Sequence, residues 1–161
     1  MKLSILTIAD YAAVRPDATL DIVRGGQALF VLPEGAETMR RAIAFQLFLN
    51  YGEMTRSEWP VAITVYDSDG EAVGGAELTM PSPGSVGPDG DGASDPLDRY
   101  PAPGVIDTEL AIPGDGEFKL TLSVGGVVLG EQRFTVVHIP DRTAEPLPDE
   151  VLAAVHSLAG S

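Results

Sequence analysis

The residues of this chain that could do chemistry are almost all carboxylates. Asp89-Gly90-Asp91-Gly92, followed by Asp95 and Asp98, alternates acids with the residue that bends a backbone most freely. A hard cation such as calcium takes roughly six to eight oxygen ligands from a bent loop, and this composition supplies both oxygens and bends. The helical calcium-loop template is not met, because Ala93 stands where a third ligand belongs and no glutamate closes the frame. A second acidic turn, Asp67-Ser68-Asp69-Gly70-Glu71, joins two strand-like runs. If the two turns converge at one end of a β domain, Asp67, Asp69, Asp89, Asp91 and Asp95 become candidate calcium ligands. The simpler expectation for Asp67 and Asp69 is a turn aspartate bonding its own backbone.

Nucleophilic catalysis has less to work with. His138 ends the last strand-like run and His156 lies in the tail, and neither accompanies a glycine-framed serine. A hydrolase using convergent carboxylates or His138 is the most distant alternative. The absence of cysteine excludes a disulfide framework and any thiolate metal site. No glycine-rich loop opens a helix in the manner of a phosphate cradle, and Lys2 and Lys119 lie in no such loop. Ten basic against twenty-four acidic side chains give a net charge of −14, which repels nucleic-acid backbones and anionic lipid at long range. A protein partner is the expectation.

The elements that must position these residues are strands. Strand-like runs cover Lys2 to Tyr11, Thr19 to Val23, Ala28 to Leu32, Arg40 to Tyr51, Pro60 to Asp67, Ala72 to Met80, Val105 to Ile112, Glu117 to Val124 and Val128 to Val137. Short strands at regular spacing, with glycine and proline between them, argue for a sandwich or barrel. Ile43, Phe45, Leu47 and Leu49 share one face of a run that is apolar on both, as expected of a central strand. Trp59, beside Pro60, is expected to lid the core.

The clearest element is the closing hairpin. Phe118, Leu120, Leu122 and Val124 alternate with Glu117, Lys119, Thr121 and Ser123, and Gly125-Gly126 reverses the chain. A strict two-residue turn with no irregularity would set Leu120 against Glu131 and Phe118 against Arg133. A loop one residue longer, or a bulge near Gly130, pairs Phe118 with Phe134 and Leu120 with Gln132 instead. The hydrophobic pattern favours the latter, because a one-residue slip exchanges the two faces.

Two segments break the rhythm. The stretch from Pro81 to Gly104 carries Pro81, Pro83, Pro88, Pro96, Pro101 and Pro103 and reads as a long loop, either loosely tethered or functional. After the proline-rich stretch Pro140 to Pro148, the residues Val151, Leu152, Val155 and Leu158 recur at helical spacing behind Asp149 and Glu150. A short helix that docks on the rest of the chain is expected there. No run approaches a membrane span of about twenty apolar residues. Asp10 also cuts short the apolar start, so a cytoplasmic protein is expected.

The segments Ile5-Leu6-Thr7-Ile8-Ala9-Asp10-Tyr11-Ala12 and Leu20-Asp21-Ile22-Val23-Arg24-Gly25-Gly26 resemble the start of a family of short bacterial proteins of unknown function. Phe45 to Leu49, Val61 to Gly70 and the closing hairpin are similar to that family's later strands, so the resemblance covers residues 1 to about 138. It implies an immunoglobulin-like or C2-like sandwich without an assigned activity, and Tyr11 packed at a strand end. The chain departs from the family pattern in the Pro81 to Gly104 insertion and the tail. The sequence therefore predicts an all-β protein: one antiparallel sandwich, residues 1–139, then a proline-rich linker and short helix, residues 140–161. Its expected role is a non-catalytic interaction or structural module; the first alternative is a calcium-dependent C2-like module.

Overall fold

A computed structural model describes residues 1–50, 53, 58–81 and 100–140. The elements among the described residues are the strands β1 (Lys2–Ala9), β2 (Tyr11–Val14), β3 (Leu20–Val23), β4 (Leu29–Pro33), β5 (Thr38–Leu49), β6 (Glu58–Tyr66), β7 (Ala72–Pro81), β8 (Tyr100–Ala111), β9 (Gly116–Val124) and β10 (Val127–Ile139). They form a three-stranded sheet in the order β1-β5-β8, a five-stranded sheet in the order β4-β10-β9-β6-β7, and the small pair β2-β3. The all-β expectation holds. No described helix is long and apolar enough to cross a membrane.

The two larger sheets turn their apolar faces to one core. Ile43, Phe45, Leu47 and Leu49 of β5 meet Val61, Ile63 and Val65 of β6, Phe118, Leu120 and Leu122 of β9, and Phe134 and Val136 of β10. Trp59 joins this cluster at 6% exposure, as a core lid should. Phe134 organises the aromatic centre, stacked on Phe118 at 5.5 Å and edge-on to Phe30 at 5.7 Å. The other face of β5 is covered too. Ala42 and Ala44 are small enough for the β2-β3 pair to pack close, with Ala12 buried against them and Ile22 and Val105 beside.

The closing hairpin has both a tight turn and a bulge. Val124 pairs with Val127 across Gly125 and Gly126, whose φ values of 58° and 81° suit a two-residue turn that only glycine adopts cheaply. The register then shifts between Val128 and Gly130, so Leu122 faces Gly130, Leu120 faces Gln132 and Phe118 faces Phe134. The bulge, rather than a longer loop, restores the apolar face.

Four expectations need correction. The first strand-like run divides at Asp10, because β2 leaves the β1 line to pair with β3. Tyr100 to Gly104 belongs to β8 rather than to a loop, with Phe48 opposite Pro101 and Gln46 opposite Pro103. Proline survives there because β8 is an edge of its sheet, where a missing N–H need not break a ladder bond. The pairing is not wholly antiparallel: β4 runs parallel to β10, from Leu29 opposite Thr135 to Pro33 opposite Ile139. Tyr11 is not packed at a strand end but is 58% exposed opposite Val23. The expected tail helix and most of the expected loop, residues 82–99, lie outside the described residues.

Two substitutions test this packing. Phe134→Ala removes the ring that bridges Phe30 and Phe118 and should cost about 3–5 kcal/mol in urea unfolding. Gly104 lies opposite Phe45, and a Cβ there would overlap the Phe45 ring. Gly104→Ala should therefore destabilise by about 1–3 kcal/mol, although alanine usually favours a strand over glycine.

Candidate functional site

The acidic turn between β6 and β7 is held by its own backbone. Asp67 Oδ1 accepts hydrogen bonds from the N–H groups of Asp69 at 3.0 Å and Glu71 at 2.9 Å. Gly70, at a φ of 84°, donates its N–H to the Asp67 carbonyl at 3.2 Å and lets the chain turn. The neighbouring depression is of mixed sign, since Lys119 and Arg133 line it with Asp67 and Glu117. Among the described residues no three His, Asp or Glu side chains gather in a way that would hold a metal ion. Asp89, Asp91 and Asp95 lie outside the described residues, as do Asp98 and His156.

His138 is bonded to two other segments. Its Nδ1 lies 2.6 Å from Asp115 Oδ1, its Nε2 lies 2.8 Å from the carbonyl oxygen of Ala36, and its backbone N–H donates to Asp115 Oδ1 at 2.6 Å. Both ring nitrogens face acceptors, an arrangement that the doubly protonated imidazolium satisfies. The hydrogen bond to Asp115 first, and that to Ala36 next, raise the imidazole above its ordinary value of 6.5. The same contact with His138 lowers the Asp115 carboxyl. Held this way, the ring has no lone pair free to act as a general base. It ties the β4-β5 and β8-β9 connections to β10.

Two more polar side chains close the seam between the sheets. Gln132 of β10 accepts the N–H of Ile8 through Oε1 at 2.9 Å and donates from Nε2 to the Gln27 carbonyl at 3.4 Å. Asp10 pairs with Arg24 at 3.5 Å and with Arg41 at 3.7 Å, and the Arg41 guanidinium lies 5.1 Å from the centre of the Phe30 ring. These contacts fix strands; they do not assemble a reaction site.

The feature best suited to function is the outer face of β4 and β10. The parallel register places Leu29 beside Thr135, Val31 beside Val137 and Pro33 beside Ile139. Alternate residues along a strand share a face, so while Phe30, Leu32 and Val136 are buried, their neighbours point outward. Leu29 is 58% exposed, Val31 53%, Val137 38% and Ile139 50%, and Pro33 is exposed with them. The same face of β10 begins with the ion pair Glu131–Arg133 at 3.8 Å and becomes apolar towards its end. Neighbouring apolar side chains on an outer face are the kind of feature that a contact surface uses. The sequence held a signal for it: Leu29-Phe30-Val31-Leu32-Pro33 is apolar without alternation, the pattern of a strand covered on both faces.

No protein-family model matches the sequence, and no curated protein matches it either. Among solved structures, the alkylpurine DNA glycosylase AlkC of Pseudomonas fluorescens, bound to DNA containing an abasic site analog, is 17% identical over 68% of this chain and 27% of its own, with a TM-score of 0.35. A glycosyl hydrolase family 2 member from Bacteroides cellulosilyticus is 10% identical over 60% of this chain and 12% of its own, with a TM-score of 0.34. The β-glucuronidase of Bifidobacterium dentium, complexed with coumarin-3-O-glucuronide, is 14% identical over 83% of this chain and 17% of its own, with a TM-score of 0.32. The chain thus spans little more than a quarter, at most, of these proteins' lengths, and at these scores the likeness carries no argument.

Stability should report the two polar clusters separately. Asp67→Ala leaves two turn N–H groups without their acceptor and should cost about 1 kcal/mol in urea unfolding, equally in calcium and in chelator. His138 contributes most while its imidazolium persists, fully below its unfolded value of 6.5, and loses the contribution as pH rises through its raised folded value. Asp115 contributes above its unfolded value of 3.8 and loses the contribution as pH falls through its lowered folded value. The gap in Tm between wild type and His138→Phe should therefore be widest near pH 5–6 and shrink towards pH 9, as scanning fluorimetry across that range would show.

Proposed function

We propose that this chain is a non-catalytic protein-interaction module of a bacterial cytoplasm, an immunoglobulin-like β-sandwich whose partner covers the outer face of β4 and β10. The observation that carries this reading is the exposure of Leu29, Val31, Pro33, Val137 and Ile139 on one face at the margin of the five-stranded sheet. An aqueous surface that serves only solubility has no use for that row. The engagement of both His138 ring nitrogens by acceptors supports a module without hydrolytic chemistry. The proposal includes membership of the bacterial family that residues 5–12 and 20–26 resemble, a family without an assigned activity.

The net charge of −14 adds a condition on the partner. Long-range attraction favours a protein with a basic rim around an apolar centre, because a second acidic surface would be repelled before apolar contact could form. Affinity capture from the host lysate with the full chain should retain such a protein. Val31→Asp and Val137→Asp replace exposed side chains, so they should leave Tm within a few degrees of wild type while abolishing capture. A partner held equally by both variants would place the contact elsewhere. Retention that requires calcium would favour the C2-like alternative.

A further inference from the structure

The turn between β4 and β5 lies at the margin of the five-stranded sheet, where β4 is an edge strand paired among the described residues with β10 alone. Gly35, at a φ of 84°, bends the turn, and inside it the Ala36 N–H donates to the Pro33 carbonyl at 3.1 Å. Glu34 donates its N–H to the Ile139 carbonyl at 2.8 Å, and the Ala36 carbonyl oxygen lies 2.8 Å from Nε2 of His138. We propose that His138 is a proton-operated latch on this edge: charged, it holds the turn to β10, and neutral, it keeps Asp115 and releases Ala36.

Geometry sets which bond is lost. An imidazolium carries a proton on each ring nitrogen and satisfies two acceptors at once, whereas the neutral ring carries a proton on one nitrogen alone. Nδ1 faces a carboxylate oxygen at 2.6 Å, and the His138 backbone N–H fixes that same oxygen at 2.6 Å. Nε2 faces an uncharged carbonyl. A hydrogen bond to a carboxylate is roughly twice as strong as one between neutral groups, so the remaining proton stays on Nδ1. The Nε2 proton leaves to water, and the lone pair it uncovers confronts those of the Ala36 oxygen. Attraction becomes repulsion, and the turn is free to lift.

The surroundings leave this balance to Asp115, the one charged side chain among the described residues whose field acts on the ring. Glu34 and Glu37 flank Ala36, and Glu117 follows Asp115 on β9, and none of these three carboxylates is bonded to the ring. The bond to Asp115, and after it that to Ala36, holds the imidazole above its ordinary value of 6.5. The latch is therefore closed below that ordinary value and opens as pH rises through the raised one. The piece released is small. On one side the Ile112 N–H still donates to the Glu37 carbonyl at 2.7 Å, and on the other Phe30 and Leu32 stay buried in the core. What loosens is Glu34 to Ala36 with the Pro33 end of β4, a local opening rather than unfolding.

Nitrogen-resolved NMR of the full chain, titrated from about pH 5 to about pH 9, reads both halves of the proposal. The ring should end as the tautomer protonated on Nδ1. Protection of the Glu34 and Ala36 amides against hydrogen exchange, corrected for the intrinsic rate, should fall roughly tenfold with the same midpoint as the ring. The core amides of Ile63 and Leu120 should keep theirs. Asp115→Asn removes the charge that favours the imidazolium, so ring and amides should titrate together at lower pH. His138→Phe should show the open level of protection at every pH. A neutral ring protonated on Nε2, Glu34 and Ala36 amides that stay protected while the ring titrates, or an equal loss at Ile63 and Leu120 would each overturn the latch. Partner capture plays no part in these readouts, so the latch and the proposed function fail independently.

Discussion

One extra residue in β10 decides which side chains this protein hides and which it shows. The bulge between Val128 and Gly130 shifts the strand by one position, so Gly130, Gln132, Phe134, Val136 and His138 turn inward, while Glu131, Arg133, Val137 and Ile139 turn outward. Each inward position then meets a need from another strand. Gly130 leaves room for Leu3, Gln132 accepts the Ile8 N–H, Phe134 joins Phe30 and Phe118, and His138 binds Asp115 and Ala36. Without the bulge, Glu131 and Arg133 would point into the core. A period of two admits no partial answer, so the register is fixed by the cost of burying those charges.

Most of the strands were legible because their information is local. The alternation from Phe118 to Val124, the Gly125-Gly126 turn and the Asp69-Gly70 turn each specify a conformation within a few residues. The pairing of β4 with β10 was not legible, since a parallel neighbour about a hundred residues away leaves no turn signal between the two. Tyr100 to Gly104 was misread for a different reason. Pro101 and Pro103 argue against a strand in general, but only a central strand forbids them, and a single sequence does not say which strands lie at an edge.

The polar clusters divide along the same line. Asp67 bonds N–H groups two and four residues away, so its role follows from the turn that contains it. His138 takes its meaning from Asp115 and Ala36, which lie on two other connections, and nothing in the residues beside it names them. The apolar face was half legible. An unbroken run from Leu29 to Pro33 is the signature of a strand covered on both sides, and only the fold reveals that one side faces outward.

Such a face on a strongly acidic protein raises the question of how it stays selective. Repulsion between like-charged copies slows self-association, yet it does nothing against a passing neutral or basic protein with an apolar surface. A partner for the proposed face must therefore add to apolar contact an attraction that a chance encounter lacks. A basic rim on the partner would supply it, through long-range attraction to a chain of net charge −14. Under the proposed function the acidity of the chain and the exposure of that face would act together, charge selecting among the proteins that could cover the apolar row.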